Sequence, residues 1–151
     1  MARLTTLGVG GAGRYFCRAA GEDDLAEALG WAAARKQPWL ALGGGSNLLV
    51  AERGYGGLVI QMRVSGLRDL GEGRVEAGAG EAWDRLVAWS VERGLAGIEC
   101  MSGIPGTVGA TPVQNVGAYG QEVADVVESV RAWDSDQCAW VELNAGECGF
   151  A

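Results

Sequence analysis

The sequence of 151 residues predicts an α+β fold made of two small subdomains, at about residues 1–63 and 64–151. Two segments have helical periodicity, and short apolar runs typical of strands lie between and after them. The 26 glycines do not repeat at a fixed period, and they cluster where loops are expected. No long linker divides the chain, so a ligand between the two subdomains is compatible with this arrangement.

The first half predicts one helix and several short strands. Residues 22–37 begin with acidic side chains and end with Arg35 and Lys36, which suits the helix dipole, and Pro38 stops the helix. The predicted apolar face consists of Leu25, Ala28, Leu29, Ala32 and Ala33. The segment after Gly13 is typical of a strand, and further strands are predicted at 39–42, 48–50 and 57–62.

The second half predicts two hairpins on either side of a helix. The first hairpin turns at Gly71-Glu72-Gly73, and the second turns at Asp134–Gln137. The helix covers residues 81–94, with Gly94 just past its end. Its buried side is predicted to consist of Trp83, Leu86, Val87, Ser90 and Val91. Asn144 and Glu147 have the spacing of a capping box, which predicts the start of another helix.

Composition excludes several functional classes. The net charge is −7 and no basic run is longer than Arg35-Lys36, which argues against a nucleic-acid binder. The chain contains no histidine, and its four cysteines have no metal-binding spacing, so free and mostly buried thiols in a reducing compartment are expected. No signal peptide and no membrane-spanning run of about 20 apolar residues is present, which predicts a cytoplasmic protein.

Two glycine motifs in the first half lead to different conclusions. Gly8, Gly10 and Gly13 form a G-x-G-x-x-G pattern, but a strand rather than a helix is expected to follow, so a dinucleotide fold of the Rossmann type is rejected. The run "GGGSN" at 43–47 can form a nest of N–H groups for a pyrophosphate, with side-chain donors from Ser46 and Asn47. A flexible connector explains this composition equally well.

A second glycine-rich run favours the ligand-binding interpretation. Residues 103–120 read "GIPGTVGATPVQNVGAYG" and carry no charge, although a solvated loop of that length should carry some. Pro105 is expected to open a helical turn, and Gln114, Asn115 and Tyr119 offer polar contacts. A long structural crossover is the alternative. Two such loops suit a ligand with a phosphate end and a flat heterocyclic end, and FAD has both.

Three segments carry a resemblance to a known family. The stretches "TTLGVGGAGRYF", "LALGGGSNLLV" and "ECMSGIPGTVGATPVQNVGAYGQEV" resemble the UDP-N-acetylenolpyruvoylglucosamine reductases (UDP-N-acetylmuramate dehydrogenases), and they occur in the same order. The resemblance implies an FAD-binding domain of the vanillyl-alcohol oxidase (PCMH) type, built from two α+β subdomains with FAD between them. It further implies NADPH as co-substrate, a UDP-sugar substrate and a role in peptidoglycan precursor synthesis.

The resemblance also assigns site residues. It implies that the pyrophosphate contacts Gly43, Gly44, Gly45, Ser46, Asn47 and Leu48. It implies that the ribityl chain and isoalloxazine lie against the second loop, at Gly103, Ile104, Pro105, Gly106, Thr107, Val108, Gly109, Ala110, Thr111, Gln114, Asn115, Gly117, Ala118 and Tyr119.

The family pattern places its catalytic arginine, serine and glutamate beyond the segments matched here. Residues 1–151 are therefore expected to be the FAD-binding part alone, without the substrate-binding domain, and inactive as a reductase. A remnant that no longer binds flavin is one alternative. Another flavin oxidoreductase of the same superfamily is a second alternative, but the long motif at 103–120 argues against it.

Overall fold

The computed structural model describes residues 1–150 and shows a mixed fold of three-stranded sheet, hairpins and two helices. The regular elements are β1 Gly13–Ala19, α1 Glu22–Ala34, β2 Trp39–Leu42, β3 Tyr55–Met62, β4 Leu67–Gly71, β5 Arg74–Ala77, α2 Trp83–Glu92, β6 Gly117–Ala118, β7 Gln121–Glu122, β8 Ser129–Asp134 and β9 Ala139–Asn144. Short 3-10 helices occupy Ala2–Leu4, Glu99–Met101, Val108–Ala110, Pro112–Gln114 and Val123–Asp125. In this part of the chain, no helix has the length and apolar character that crossing a membrane requires.

The first half folds around a parallel sheet of order β1-β3-β2. The central strand β3 is buried from Leu58 to Ile60, which explains its continuous apolar run. Helix α1 covers one face, and its buried residues pack with the sheet in a first core cluster. This cluster consists of Ala19, Leu25, Leu29, Ala32, Leu58 and Ile60.

The second half is organised by helix α2 and the turns that follow it. The second core cluster consists of Trp83, Leu86, Val87, Met101 and Val123. The indole Nε1 of Trp83 donates a hydrogen bond to the Met101 carbonyl oxygen at 2.9 Å, so its polar atom is satisfied within the core.

The C-terminal hairpin β8–β9 returns to the first cluster. Trp133 and Trp140, which face each other across the hairpin, pack edge to face and contact that cluster. At the surface, the guanidinium of Arg131 donates two hydrogen bonds to the carboxylate of Glu22 at the start of α1, at 2.6 and 2.9 Å. The hairpin thus contributes side chains from residues 129–144 to a core built mainly from residues 1–63. The division into two subdomains remains a prediction.

Most predicted elements are present, with shifted ends. The predicted strand at Gly13 forms, and both hairpins turn where they were predicted to turn. Gly94 follows α2 with a φ of +70°. Helix α1 ends at Ala34, because the N–H groups of Arg35 and Lys36 bond in a tight turn to Ala32 and Ala33. Helix α2 begins at Trp83 rather than at residue 81 and ends at Glu92.

Several predictions about the helices and strands were wrong. Residues 48–50 form no strand. This part of the chain packs against the N-terminal segment instead, where the Gly11 N–H donates a hydrogen bond to the Ala51 carbonyl. Ala33 and Val91 are exposed, since each lies at the edge of its helix's apolar face. Asn144 and Glu147 do exchange the two capping-box hydrogen bonds, but residues 145–149 form a turn rather than a helix.

The expectation about the cysteines was right about their state and wrong about their burial. All four are free thiols. Cys100 and Cys138 are exposed, because they lie in a surface 3-10 turn and in the β8–β9 turn. Cys17 and Cys148 are half-buried, and burial, with the nearby charge of Asp24, raises the pKa of the Cys17 thiol.

Candidate functional site

The first glycine-rich loop leaves the carboxyl end of strand β2. The main-chain N–H groups of residues 43–48 donate no hydrogen bond to any atom of the described residues. A run of unpaired N–H groups needs an acceptor from outside the chain or from water. Such a run, with a glycine in the left-handed region at Gly45, has the character of an anion-binding nest.

The N-terminal segment forms the outer support of this loop. The Thr6 N–H donates to the Gly45 carbonyl at 3.0 Å. A Cβ atom at residue 45 would come within 2.2 Å of the Leu4 carbonyl oxygen, and the φ of Gly45 is +69°. Glycine is therefore required at 45 both by the backbone conformation and by the close approach of residues 4–6.

The second glycine-rich loop is anchored at its start by helix α2. The carboxylate of Asp84 accepts hydrogen bonds from the Gly103 N–H at 2.7 Å and from the Ser102 hydroxyl at 2.8 Å. These two bonds, in that order of size, hold the pKa of Asp84 below its ordinary value of 3.8. The expected helical turn at Pro105 does not form, because the Gly106 carbonyl instead accepts a hydrogen bond from the Trp83 N–H of α2 at 3.1 Å. Pro112 opens a 3-10 turn instead.

The two loops lie directly against each other. The Ser46 hydroxyl donates to the Pro105 carbonyl at 3.2 Å, and the Asn47 amide donates to the Gln114 side-chain oxygen at 3.1 Å. A Cβ atom on residue 44 would come within 3.2 Å of the Gly106 Cα, and one on residue 43 within 2.6 Å of the Thr107 hydroxyl oxygen. The structure therefore brings the two predicted motifs together as one surface.

Some predicted site residues direct their side chains away from this surface. Ile104, Val108 and Ala118 are half-buried, and they pack against the second core cluster. The hydroxyl of buried Thr111 donates to the Val108 carbonyl. The Asn115 amide is engaged at both ends, donating to Glu122 and accepting from the Ala124 N–H.

Other residues of the two loops and their surroundings are open to solvent. Tyr119 is 93% exposed, Val113 is 82% exposed and Leu49 is 74% exposed. Large apolar side chains exposed beside a polar loop are typical of a ligand-binding surface. The Tyr119 ring provides a flat face that suits an aromatic ligand.

Sequence reasoning missed the residues that complete the cavity beside the first loop. This cavity has a volume of about 310 Å³ and includes Gly43, Gly44 and Thr107, which were predicted. Its other walls are Arg3, Leu4, Thr5, Thr6, Gln61, Met62, Arg63 and Gly80. Gln61 and Met62 end strand β3 and Arg63 follows it, and ligands of parallel sheets bind outside the carboxyl ends of the strands. That rule would have pointed to them once β2 and β3 were recognised as parallel neighbours.

The donor set and the available space fit a dinucleotide. Glycine at residues 43 and 44 lets the two loops approach each other closely, and the unpaired N–H groups of 43–48 lie beside this contact. Val113 and Tyr119 of the second loop are exposed. A diphosphate matches the first feature and a flat ring system matches the second.

Comparison with known proteins decides the family. The profile of the FAD binding domain family (FAD_binding_4) matches residues 14–142. The chain belongs to this family. FAD is therefore confirmed as the predicted cofactor, and the predicted resemblance and fold class are confirmed as well.

Similar proteins agree with this assignment. The UDP-N-acetylenolpyruvoylglucosamine reductase of Thermobifida fusca is 46% identical over the whole chain, which spans 44% of that protein. The Pseudomonas aeruginosa reductase is also 46% identical, over 96% of the chain and 44% of its own length. The chain thus spans less than half the length of these curated relatives.

Solved structures show the same fold. The UDP-N-acetylenolpyruvylglucosamine reductase (MurB) from Thermus caldophilus matches with a TM-score of 0.78 and 31% identity, over 99% of this chain and 52% of that one. The 6-hydroxy-D-nicotine oxidase of Arthrobacter nicotinovorans matches with a TM-score of 0.66 at 21% identity, over 92% of this chain and 33% of that one. The latter likeness shows a shared fold alone.

The Asp84 anchor leads to a pH-dependent prediction. Because the folded chain lowers its pKa, the carboxylate stabilises the fold at pH values above 3.8, and this contribution is lost as the pH falls through the lowered pKa. Replacing it by an amide (Asp84→Asn) should lower the melting temperature at pH 7. The difference between the two proteins should shrink as the pH is lowered from 5 towards 3, measured by circular dichroism.

Asp136→Asn is the matched control, because Asp136 lies in the exposed turn between β8 and β9 and its carboxylate accepts no hydrogen bond from the described residues. If the melting temperatures of Asp84→Asn and the unmodified chain stay equally far apart from pH 7 to pH 3, the Asp84 charge does not hold the loop.

Proposed function

We propose that the two glycine-rich loops bind FAD as one site. In this proposal the N–H groups of 43–48 receive the diphosphate, and the ribityl chain and isoalloxazine lie along 103–119, with Tyr119 beside the ring. The observation that supports it most is the set of unpaired N–H groups at 43–48, next to a second loop that approaches within van der Waals distance.

We further propose that the protein takes part in the reduction of an enolpyruvyl UDP-sugar with NADPH, in peptidoglycan precursor synthesis. Support comes from reductases of two bacteria that match this chain at 46% identity. FAD supplies the hydride-transfer chemistry when it is bound. The residues described here would bind and orient it, and the tightly packed loops would restrict water on that side. The four free thiols suit a reducing compartment, which supports a cytoplasmic location.

Residues 1–151 by themselves should bind FAD without catalysing the reduction. Hydride transfer to an alkene conjugated with a carboxylate builds negative charge, which preorganised donors must stabilise. The arginine, serine and glutamate implied by the family resemblance have no counterpart in the matched segments. The chain also has no histidine to act as proton donor.

Binding of FAD is tested by a glycine substitution in the first loop. Gly44→Val should abolish binding, because a β-branched side chain would meet the Gly106 backbone, which a Cβ atom alone already approaches to 3.2 Å. Flavin fluorescence titration should show saturable binding by the unmodified chain at micromolar FAD and none by the variant.

Gly56→Val is the matched control, since a Cβ atom at residue 56 meets nothing within 4 Å and the residue lies in strand β3. Circular dichroism should show that all three proteins are folded. Normal FAD binding by Gly44→Val would mean that the first loop is only a connector.

The lack of reductase activity is tested in a single turnover. The flavin bound to residues 1–151 is reduced chemically without oxygen, the enolpyruvyl UDP-sugar is added, and reoxidation is followed by absorbance. We expect no reoxidation above the rate without substrate, whereas the Thermobifida fusca reductase should react under the same conditions. Reoxidation by this chain at about 1–10³ s⁻¹, the range of ordinary enzymes, would contradict the proposal.

A further inference from the structure

The cavity beside the first loop has a basic wall that the glycine motifs do not explain. It lies at the carboxyl ends of β2 and β3, where Gly43 and Arg63 directly follow the two strands. Arg63 is fixed there, because its N–H donates to the Ala19 carbonyl of β1 at 2.7 Å. Its side chain therefore starts from a rigid part of the sheet rather than from a flexible loop.

The charges around this cavity are of one sign. Arg3 and Arg63 both line it, and no acidic residue does. Within residues 1–150, neither arginine takes part in an ion pair, although the chain has 19 acidic residues and only 12 basic ones. Glu81 directly follows Gly80 of the cavity wall, but its carboxylate is already engaged by the Gly66 N–H and by Arg85. An excess of unpaired positive charge at a cavity of an acidic protein favours an anion.

A threonine that also lines the cavity has an unsatisfied hydroxyl. The Oγ1 of Thr5 is shielded from solvent and has no hydrogen-bond partner among the described residues. A buried polar atom without a partner costs stability, so such an atom in a native site calls for a partner. Thr5 lines the cavity, and rotation about χ1 gives its hydroxyl other staggered positions from which to meet a ligand.

We propose that Arg63 and Thr5 bind a phosphate of the dinucleotide and thereby make this site select FAD over flavins that lack the diphosphate. The inference rests on the proposed placement of the diphosphate at residues 43–48, since Gly43 and Gly44 border both the nest and the cavity. The N–H groups provide directional donors without net charge, and the guanidinium supplies the charge and a fork of donors that matches phosphate geometry.

The test compares three ligands and three variants. Fluorescence titration gives the affinities for FAD and riboflavin, and thermal unfolding of the flavin-free chain gives its stabilisation by inorganic pyrophosphate. Arg63→Gln should weaken FAD binding about 10- to 100-fold, as expected for a lost charge-assisted hydrogen bond, and leave riboflavin binding within about twofold. It should also remove most of the stabilisation by pyrophosphate. Arg53→Gln is the matched charge control and should change none of these values.

Thr5→Val separates a binding role from a structural one. It replaces an unsatisfied hydroxyl by a methyl group, so the flavin-free chain should be as stable as before or more stable. FAD binding should nevertheless weaken. Reduced stability together with unchanged FAD affinity would show that the hydroxyl serves the fold, and this part of the inference would be wrong.

The outcomes also distinguish this inference from the proposed function. If FAD binds but Arg63→Gln weakens FAD and riboflavin equally, or no more than Arg53→Gln does, the phosphate role of Arg63 is wrong and the FAD site stands. If pyrophosphate binds in an Arg63-dependent manner but no flavin binds, the phosphate role holds and the proposed function fails. If neither FAD nor pyrophosphate binds, both are wrong.

Discussion

The close contact between the two glycine-rich loops is the constraint on which the candidate site depends. Their backbones approach so closely that side chains at 43 and 44 would meet Thr107 and Gly106. The hydrogen bonds from Ser46 and Asn47 fix the relative positions of the loops without occupying the main-chain N–H groups. Glycine is thus used here to bring two backbones together, rather than to make the chain flexible.

The rest of the fold holds each loop from its own side. The first loop is positioned by the end of β2 and by the N-terminal segment, whose Thr6 bonds to Gly45. The second loop is held by Asp84 at its start, and the Val108 N–H donates to the Glu81 carbonyl at 2.9 Å. Because β2 and α2 contribute residues to the folded core, the candidate surface is largely preorganised.

An acidic chain can bind an anionic cofactor when local donors outweigh the overall field. The net charge of −7 repels a diphosphate at long range, but short-range N–H groups and two unpaired arginines act at the place where we propose that the ligand binds. Composition alone shows only the first of these effects. The second appears when the carboxyl ends of the strands are assembled in three dimensions.

The sequence predicted what depends on local pattern or on a long motif. Helices α1 and α2, the hairpin turns and both glycine loops follow from periodicity and turn residues. A strand was predicted at 48–50, and its absence could not be foreseen, because an apolar triplet joins a sheet only when a neighbouring strand edge is free for it. Arg63 and Thr5 are about 60 residues apart in sequence. They meet at one cavity because β2 pairs with β3 and because the N-terminal segment bonds to the loop that follows β2. The internal use of the Asn115 amide likewise depends on Ala124, in a later turn.

The central claim is that the N–H groups of the first loop and the adjoining second loop receive the cofactor together. Amide hydrogen exchange of residues 1–151, read by NMR with and without FAD, tests it most directly. We expect fast exchange at 43–48, 106 and 107 in the free chain, because these amides have no internal acceptor. On addition of FAD, both loops should become protected over the same range of FAD concentration. Protection confined to one loop, or protection elsewhere with 43–48 unchanged, would contradict the account.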